Sequence, residues 1–229
     1  NKNVEVNMVT YKLHLIRHGM TEGNRVGRYV GRLDMPICKE GREELEALKA
    51  KYEYPAVQEV YCSPLLRCTQ TADVLYPDEP RTIVEDLIEL SLGDFEGKYI
   101  DALQNDPVYL KWIADSLHST PPGALETSEQ FGARIGGALN DIFMHMTQNH
   151  ITEAAVVAHG GVFMGLLSAF AMPRAPMGEW ALGNGTGYTI RMSTGLWMRD
   201  HVVEVIGGVP VGLPTGRDPR VLSSLGISL

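Results

Sequence analysis

Short apolar runs alternate with segments of helical composition along most of this 229-residue sequence. Apolar runs occupy residues 11–16, 58–62 and 154–158, and a segment of helical composition follows each of them along the chain. This alternation is typical of α/β domains that are built on a largely parallel sheet. At this length one domain buries about 70% of the surface of its unfolded chain, so a substantial core needs no metal or disulfide crosslink.

The C-terminal third ends in strand-like segments followed by a loop-like tail. Residues 186–192 and 196–206 have strand composition, and the Ser-Thr-Gly between them predicts a β-hairpin. Gly, Pro and Ser then become frequent. We therefore expect a single domain over residues 1–229, with a core at about 11–206 and a surface tail at 207–229.

Helix boundaries are indicated by their capping residues. Thr127 and Gln130 have the spacing of a capping box at the start of a long helix, whereas Cys38 is a poor side-chain cap for another. The remaining predicted elements are strands at 11–16, 58–62, 81–84 and 154–158, and helices at 39–52, 64–76, 101–117 (interrupted near Pro107) and 160–171.

Composition excludes several classes of partner. The formal net charge is −8 and no cluster of five or more Lys and Arg occurs, so we expect no nucleic-acid binding. The longest apolar stretch, 156–172, is too short to span a membrane and contains a histidine and three glycines. Three cysteines and an N-terminus without an apolar secretory core favour a cytoplasmic location.

The first apolar run ends in Arg17-His18-Gly19. In open α/β sheets, ligands bind outside the carboxyl ends of the strands, where Arg can donate two hydrogen bonds to a phosphate. His18 is then a phosphate ligand or the group that attacks phosphorus. A tripeptide alone is a weak signal, and a histidine that merely makes a structural hydrogen bond fits it as well.

Three further motifs strengthen this interpretation. Together with the first, the four groups are Arg17, His18, Gly19, Thr21 and Asn24; Ser63, Arg67, Thr71 and Ala72; Glu89, Glu96 and Gly97; and His159 and Gly160. With these residues the chain resembles the histidine phosphatase superfamily, also called the phosphoglycerate mutase-like family. The four motifs occur in the family's order and cover roughly residues 11–200.

The resemblance implies a three-layer αβα fold with a helical insertion over the active site. It also implies that His18 is the phosphorylated nucleophile and that Glu89 protonates the leaving oxygen and then activates water. Charge and position alone could not have chosen Glu89 from its acidic neighbours. The phosphate pocket would comprise Arg17, Arg67 and His159, and the other substrate-binding residues would be Thr21, Asn24, Arg28 and Gly160.

The proposed chemistry places demands on these residues. Phosphoryl transfer requires positioning and neutralisation of the negative oxygens, and histidine can divide the reaction into two easier steps. The attacking nitrogen of His18 must be unprotonated, with the other nitrogen held by a carbonyl group. Glu89 needs a raised pKa to donate a proton near neutral pH. Two of these residues also have a purely structural alternative. Arg67 could be a solvated surface side chain, and His159 could donate a hydrogen bond to a buried loop carbonyl.

Hydrolysis is the reaction we expect, on a small-molecule phosphate monoester and without metal or other cofactor. Asn24 and Arg28 also fit the phosphoglycerate mutases, but His159 follows Glu89 after only 70 residues, which resembles the phosphatase branch. A mutase, and a module that binds a phosphorylated ligand without catalysis, remain as alternatives. The sequence makes no prediction of oligomeric state.

A second contact zone over the leaving group is also conceivable from the sequence. Arg28, Tyr109 and Trp112 would form it and would favour a substrate with an additional anionic or planar part. Packing of the two aromatic residues in the core is the favoured alternative, because apolar positions on helices usually face the core.

Overall fold

The computed structural model describes residues 9–213, which contain one seven-stranded sheet. The strands are β1 (Thr10–Arg17), β2 (Glu59–Cys62), β3 (Arg81–Ile83), β4 (Glu153–Ala158), β5 (Ala171–Met172), β6 (Gly187–Ser193) and β7 (Val203–Val209). Their order is β3-β2-β4-β1-β6-β7-β5. All neighbouring strands are parallel except the two pairs that include β6. The predicted, mostly parallel sheet is confirmed.

Helices connect these strands and cover both faces of the sheet. The α-helices are α1 (Glu22–Arg25), α2 (Lys39–Lys51), α3 (Leu66–Leu75), α4 (Ile100–Leu103), α5 (Pro107–Ala114), α6 (Ser128–Gln148), α7 (Gly160–Phe170) and α8 (Thr194–Asp200). Short 3₁₀ helices occur at Glu85–Leu87, Gly93–Phe95 and Met177–Trp180. The predicted helices are present, although α3 begins two residues after Pro64 and the short α1 was not predicted.

Alternating side chains of the central strands divide the core into two layers. Leu13 and Leu15 of β1 pack with α6 and α7, whereas Ile16 belongs to a second cluster with side chains of α2 and α3. On β4, Val156 joins the first cluster and Val157 the second. Because side chains on a strand point alternately to opposite faces, both faces of the sheet are buried under helices. The αβα layering is confirmed.

A third, smaller cluster forms the predicted helical insertion between β3 and α6. Its buried members are Leu92, Phe95, Leu103, Tyr109 and Trp112. Pro107 occupies the first turn of α5, where the missing N–H costs nothing, and Asp106 caps the helix through Val108 N. This explains why the predicted 101–117 helix is two helices.

The predicted hairpin at 186–206 is wrong in its second strand. Residues 194–200 form helix α8 rather than a turn and a strand, and β7 begins only at Val203. Ser193 caps the helix by accepting the N–H of Leu196. Trp197 is buried, and its indole donates to Asn140 of α6 at 3.1 Å. Tertiary packing of this tryptophan therefore outweighs the strand propensity of the segment.

Two other predictions concern the chain ends and the caps. Strand β7 runs to Val209, three residues beyond the core boundary placed at 206, and Val211 forms a bridge with Glu53. The rest of the predicted tail, 214–229, lies outside the described residues. The capping box of Thr127 and Gln130 is present, and the thiol of Cys38 accepts the N–H of Gly41 at 3.4 Å. Within residues 9–213, no helix has the length and apolar character to cross a membrane.

Candidate active site

The topology brings three of the four sequence motifs to one edge of the sheet. Strands β2, β4 and β1 are adjacent and parallel, so their carboxyl ends lie side by side. The N–H of His18 donates to the carbonyl of Ala158 at 3.0 Å, and that of Ser63 donates to Val157 at 3.0 Å. As a result the rings of His18 and His159 lie 5.3 Å apart.

His18 is held as a neutral imidazole with a defined orientation. Its Nδ1 lies 2.7 Å from the carbonyl of Gly19, which can only accept, so Nδ1 carries the proton. Nε2 then has the lone pair and accepts from Nε of Arg67 at 3.2 Å. Burial, followed by the charges of Arg67 and Arg17, keeps the pKa of His18 well below its ordinary value. The ring thus meets both requirements of a nucleophile.

Arg67 is a buried residue and not a solvated surface side chain. It lies in the first turn of α3, is fully enclosed, and donates to the carbonyls of Leu33 and Gly31, both at 2.7 Å. All three guanidinium nitrogens are therefore oriented by the protein. Burial lowers the pKa of Arg67, but the group remains a cation at any physiological pH.

Glu96 fixes the loop that receives Arg67. Its carboxylate accepts the backbone N–H groups of Gly31, Arg32 and Leu33 at 2.6, 3.1 and 3.2 Å. The carbonyls of two of these residues are the acceptors of Arg67. Glu96, which the sequence motif matched without a role, therefore fixes Arg67 indirectly through this loop.

Arg17 has a hydrogen-bond donor that no described residue satisfies. Its Nη1 donates to the carbonyl of Leu182 at 2.6 Å, while its buried Nε has no partner within residues 9–213. Gly160 lies beside this group, and a Cβ there would be 3.4 Å from Nε. Buried donors without partners are costly, so an acceptor bound at this point stabilises the site.

His159 is fully buried between the strand ends. Its Nε2 lies 2.7 Å from the hydroxyl oxygen of Ser63 and 3.5 Å from the sulfur of Cys68. Burial, followed by the charges of Arg67, His18 and Arg17, keeps its pKa well below the ordinary value. The alternative that His159 merely satisfies a loop carbonyl is not what the structure has.

Glu89 lines the cavity from the irregular segment after the first 3₁₀ helix. Its carboxylate accepts the N–H of Leu90 at 2.8 Å and that of Gly161 at 3.0 Å. Burial raises the pKa of Glu89, and it outweighs these N–H groups and the nearby Arg67 and Arg17, which lower it. This is the direction required of a proton donor near neutral pH.

Thr21 and Asn24 interact with each other. They form a capping box around α1, in which Asn24 N donates to the Thr21 hydroxyl at 3.2 Å and Asn24 Oδ1 accepts the N–H of Thr21. Thr21 is fully buried, whereas Asn24 lines the cavity next to His18. Contact of either residue with a substrate stays a prediction.

The suggested second contact zone is divided by the structure. Arg28 and Trp112 line the cavity, and the guanidinium of Arg28 lies 4.4 Å from the ring centre of Tyr99. Tyr109 packs in the core of the insertion, and its hydroxyl bonds to that of Tyr29 at 2.8 Å. Trp112 belongs to the same buried cluster, so the packing alternative is correct for both aromatic residues, although Trp112 also lines the cavity.

A cavity of about 1430 Å³ extends from Arg17, His18 and Glu89 over a largely apolar region, whereas Arg67 and His159 are fully buried and do not line it. Arg17, His18 and Glu89 line one part of it. The apolar residues that line the rest include Met20, Leu90, Ile113, Phe131, Met164 and Leu182. The volume is ample for a phosphate ester whose alcohol portion is larger than three carbons.

Several supporting residues had no role in the sequence interpretation. Asn184 donates to the carbonyl of His18 at 3.0 Å, and Leu182 receives Arg17. Asn184 lies in the glycine-rich segment 183–187, and Leu182 immediately precedes that segment. Gly161 was overlooked although it follows the motif glycine directly.

Within the described residues, no three His, Cys, Asp or Glu side chains are grouped as metal ligands, and metal independence stays a prediction.

Comparison with known proteins identifies the family to which the sequence is similar. The sequence profile of the histidine phosphatase superfamily (branch 1) matches residues 13–203. The adenosylcobalamin/alpha-ribazole phosphatase of Escherichia coli K12 is 29% identical over 179 residues, covering 76% of this chain and 86% of that protein.

Solved structures show the same fold at lower sequence identity. The alpha-ribazole phosphatase from Shigella flexneri superposes with a TM-score of 0.66 at 23% identity, covering 86% of this chain and 95% of that one. A phosphoglycerate mutase from Bacillus anthracis str. Sterne superposes with a TM-score of 0.71 at 20% identity and covers 96% of both chains.

Proposed function

The chain belongs to the histidine phosphatase superfamily, and we propose that it hydrolyses small-molecule phosphate monoesters through a phosphohistidine at His18. The observation that carries the proposal is the contact between His18 Nε2 and Arg67 Nε, at 3.2 Å inside a buried pocket. A lone pair on a neutral imidazole, surrounded by cations, can approach an anionic phosphate without being protonated first.

In the first step His18 attacks the phosphorus atom. The Nε2–P bond forms while the bond from phosphorus to the ester oxygen breaks, and Glu89 protonates that oxygen. Arg17 and Arg67 neutralise the charge on the equatorial oxygens. The buried Nε of Arg17 then acquires an acceptor, and Arg67 Nε can turn its hydrogen bond from His18 to phosphate.

In the second step water takes the place of the departed alcohol. Glu89, now ionised, removes a proton from water as the oxygen attacks phosphorus and the Nε2–P bond breaks. Inorganic phosphate leaves, His18 returns to its neutral form, and Glu89 is protonated again. The same carboxyl serves as acid and then as base, and its raised pKa favours the protonated form that the first step requires.

Hydrolysis is favoured over phosphate transfer by the surroundings of the pocket. The cavity leads from the phosphate-binding residues into a mainly apolar region, which suits an alcohol that is released rather than a glycerate that is retained and rephosphorylated. A relative covering most of this chain is named as a phosphatase.

We also propose a cytoplasmic location, and the three free cysteines accord with it.

The test is hydrolysis of p-nitrophenyl phosphate at pH 5 to 7, with and without EDTA. We expect release of nitrophenol and phosphate that EDTA does not abolish and that His18→Ala eliminates. His145→Ala, an exposed histidine on α6 remote from the cavity, is the matched control and should retain activity. No turnover across a panel of monophosphates would favour a binding module instead. With 3-phosphoglycerate, a product that is mainly 2-phosphoglycerate would make the chain a mutase.

A further inference from the structure

The backbone that carries Glu89 is held by two arginine side chains. Residues 88–91 have no regular secondary structure, so their carbonyls are not satisfied by a helix or a strand. Arg134 Nη1 donates to the carbonyls of Asp86 and Ile88, both at 2.7 Å. Arg32 Nε donates to the carbonyl of Glu89 itself at 2.6 Å. Arginine thus binds the main chain at Glu89 and at the residue immediately before it.

One carboxylate joins these two arginines. Glu126 Oε1 accepts from Arg134 Nη2 at 2.5 Å and from Arg32 Nη2 at 3.0 Å, and its Oε2 accepts from Arg134 Nε at 2.9 Å. The side chains of Glu126 and Arg134 are only 13% and 15% exposed. Bidentate, largely buried contacts of this kind define geometry more sharply than surface ion pairs do.

We propose that Glu126, through Arg32 and Arg134, positions Glu89 for proton transfer to the leaving group. The inference rests on the proposed function, because it assigns a purpose to the main-chain contacts of the residue that acts as the acid. Glu126 does not contact the phosphate pocket directly, and none of the three side chains is needed for the phosphate contacts described above. They are positioning residues.

The negative charge of Glu126 also affects the pKa of Glu89. The cations that face Glu89 are Arg17 on β1 and Arg67 on α3, with His18 and His159 neutral nearby. Glu126 compensates the charges of Arg32 and Arg134, the two further cations bound to the main chain at and before Glu89. Without that negative charge, Arg32 and Arg134 would favour the ionised form of Glu89 and lower its pKa. Less of the acid would then be protonated at neutral pH.

The test compares two phosphate esters in Glu126→Gln. An alkyl phosphate needs its leaving oxygen protonated, whereas p-nitrophenolate is stable as an anion. We expect kcat/KM for the alkyl ester to fall by roughly tenfold to a hundredfold and that for the nitrophenyl ester by less than about threefold. The basic limb of the pH profile for the alkyl ester should shift to lower pH. A residue that only supports the fold would shift neither the ratio nor the limb.

Glu204→Gln is the matched control. Glu204 forms a similar bidentate pair with Arg191, at 2.9 Å for both bonds, on strands β6 and β7 away from the cavity. This variant should keep the wild-type ratio and pH profile. Thermal denaturation establishes that each variant is folded. If Glu126→Gln does not fold, Arg32→Lys is the variant to measure. It retains the positive charge but cannot contact Glu89 and Glu126 together. We therefore expect the ratio of kcat/KM between the two esters to change while the basic limb of the pH profile stays in place.

The outcomes separate this inference from the function on which it rests. Suppose that the wild type is active and that Glu126→Gln slows hydrolysis of both esters equally. This result would overturn the positioning role alone. If Arg32→Lys is the variant used, an unchanged ratio of kcat/KM between the two esters would do the same. Wild-type protein that is inactive toward both esters would overturn the proposed function and this inference together.

Discussion

At the scale of single residues, the absence of a side chain at Gly161 fixes the position of Glu89, the proposed proton donor. Its N–H donates to Glu89, and a Cβ at this position would lie 2.4 Å from Oε1 of Glu89, closer than real contacts allow. Gly161→Ala must therefore displace the carboxylate. We expect kcat/KM toward phosphate monoesters to fall roughly tenfold to a hundredfold, since small misplacements of reacting groups are costly. Steady-state kinetics measures the loss.

Gly195→Ala is the control for this substitution. Gly195 also lies in the first turn of a helix, and a Cβ there would meet nothing within 4 Å. Its kinetic constants should equal those of the wild type. Full activity in Gly161→Ala would mean that Glu89 does not need the position described above.

Arg67 provides a second residue-scale prediction, because shape matters there as well as charge. Its three nitrogens contact His18, Leu33 and Gly31, and a lysine can satisfy only one such direction well. We expect Arg67→Lys to lower kcat/KM by roughly 10²- to 10³-fold, the usual cost of removing one electrostatic donor. Arg191→Lys, at an exposed ion pair, is the control. A loss below tenfold in Arg67→Lys would show that charge alone suffices.

The site residues could be predicted from sequence where they lie at strand ends. Arg17, His18 and His159 follow apolar runs directly, so parallel pairing alone brings them together. Glu89 was identified only through resemblance to a family, because it lies in an irregular segment. The carbonyl of Leu182 that binds Arg17 could not be predicted, since that contact depends on packing between residues 165 positions apart.

At the scale of elements, Gly137 in α6 and Gly165 in α7 differ in what an added Cβ would contact. Gly137 is exposed, and a Cβ there would meet nothing within 4 Å. We expect Gly137→Ala to raise the free energy of unfolding by about 0.5–1 kcal/mol, because alanine loses less backbone entropy in a helix. Urea denaturation measures the change.

Gly165 in α7 is the contrasting case. A Cβ there would lie 2.8 Å from Cδ1 of Ile135 on α6, so Gly165→Ala should lower the free energy of unfolding by about 1–3 kcal/mol through overpacking. Equal effects of the two substitutions would mean that α6 and α7 are not packed as described.

Element boundaries were predictable where capping chemistry is local. Thr127 and Gln130 form their capping box within one helical turn, and Asp106 with Pro107 begins α5 in the same way. Helix α8 was missed because its cause is distant: Trp197 is buried against Phe170 of α7 and bonds to Asn140 of α6. The local strand propensity of the segment does not depend on that contact and therefore could not predict the helix.

At the scale of the whole molecule, the pKa shifts predict how stability depends on pH. Burial is the first cause that lowers the pKa of His14, His18 and His159 below 6.5. Below about pH 6.5 the unfolded chain therefore binds protons that the native protein does not. The raised pKa of Glu89 acts in the opposite direction, but it is one group against three. Stability should thus be greatest above pH 6.5 and fall as the pH is lowered.

The size of this effect can be bounded and measured. Each fully linked histidine contributes at most about 1.4 kcal/mol per pH unit, so urea denaturation at pH 7, 6 and 5 should show a decline of that order or more. His159→Gln removes one linked group and should decline less steeply, whereas His150→Gln, an exposed histidine, should follow the wild type. Equal stability at pH 7 and pH 5 in the wild type would contradict the neutral, buried state of these histidines, which the proposed nucleophilic attack by His18 requires.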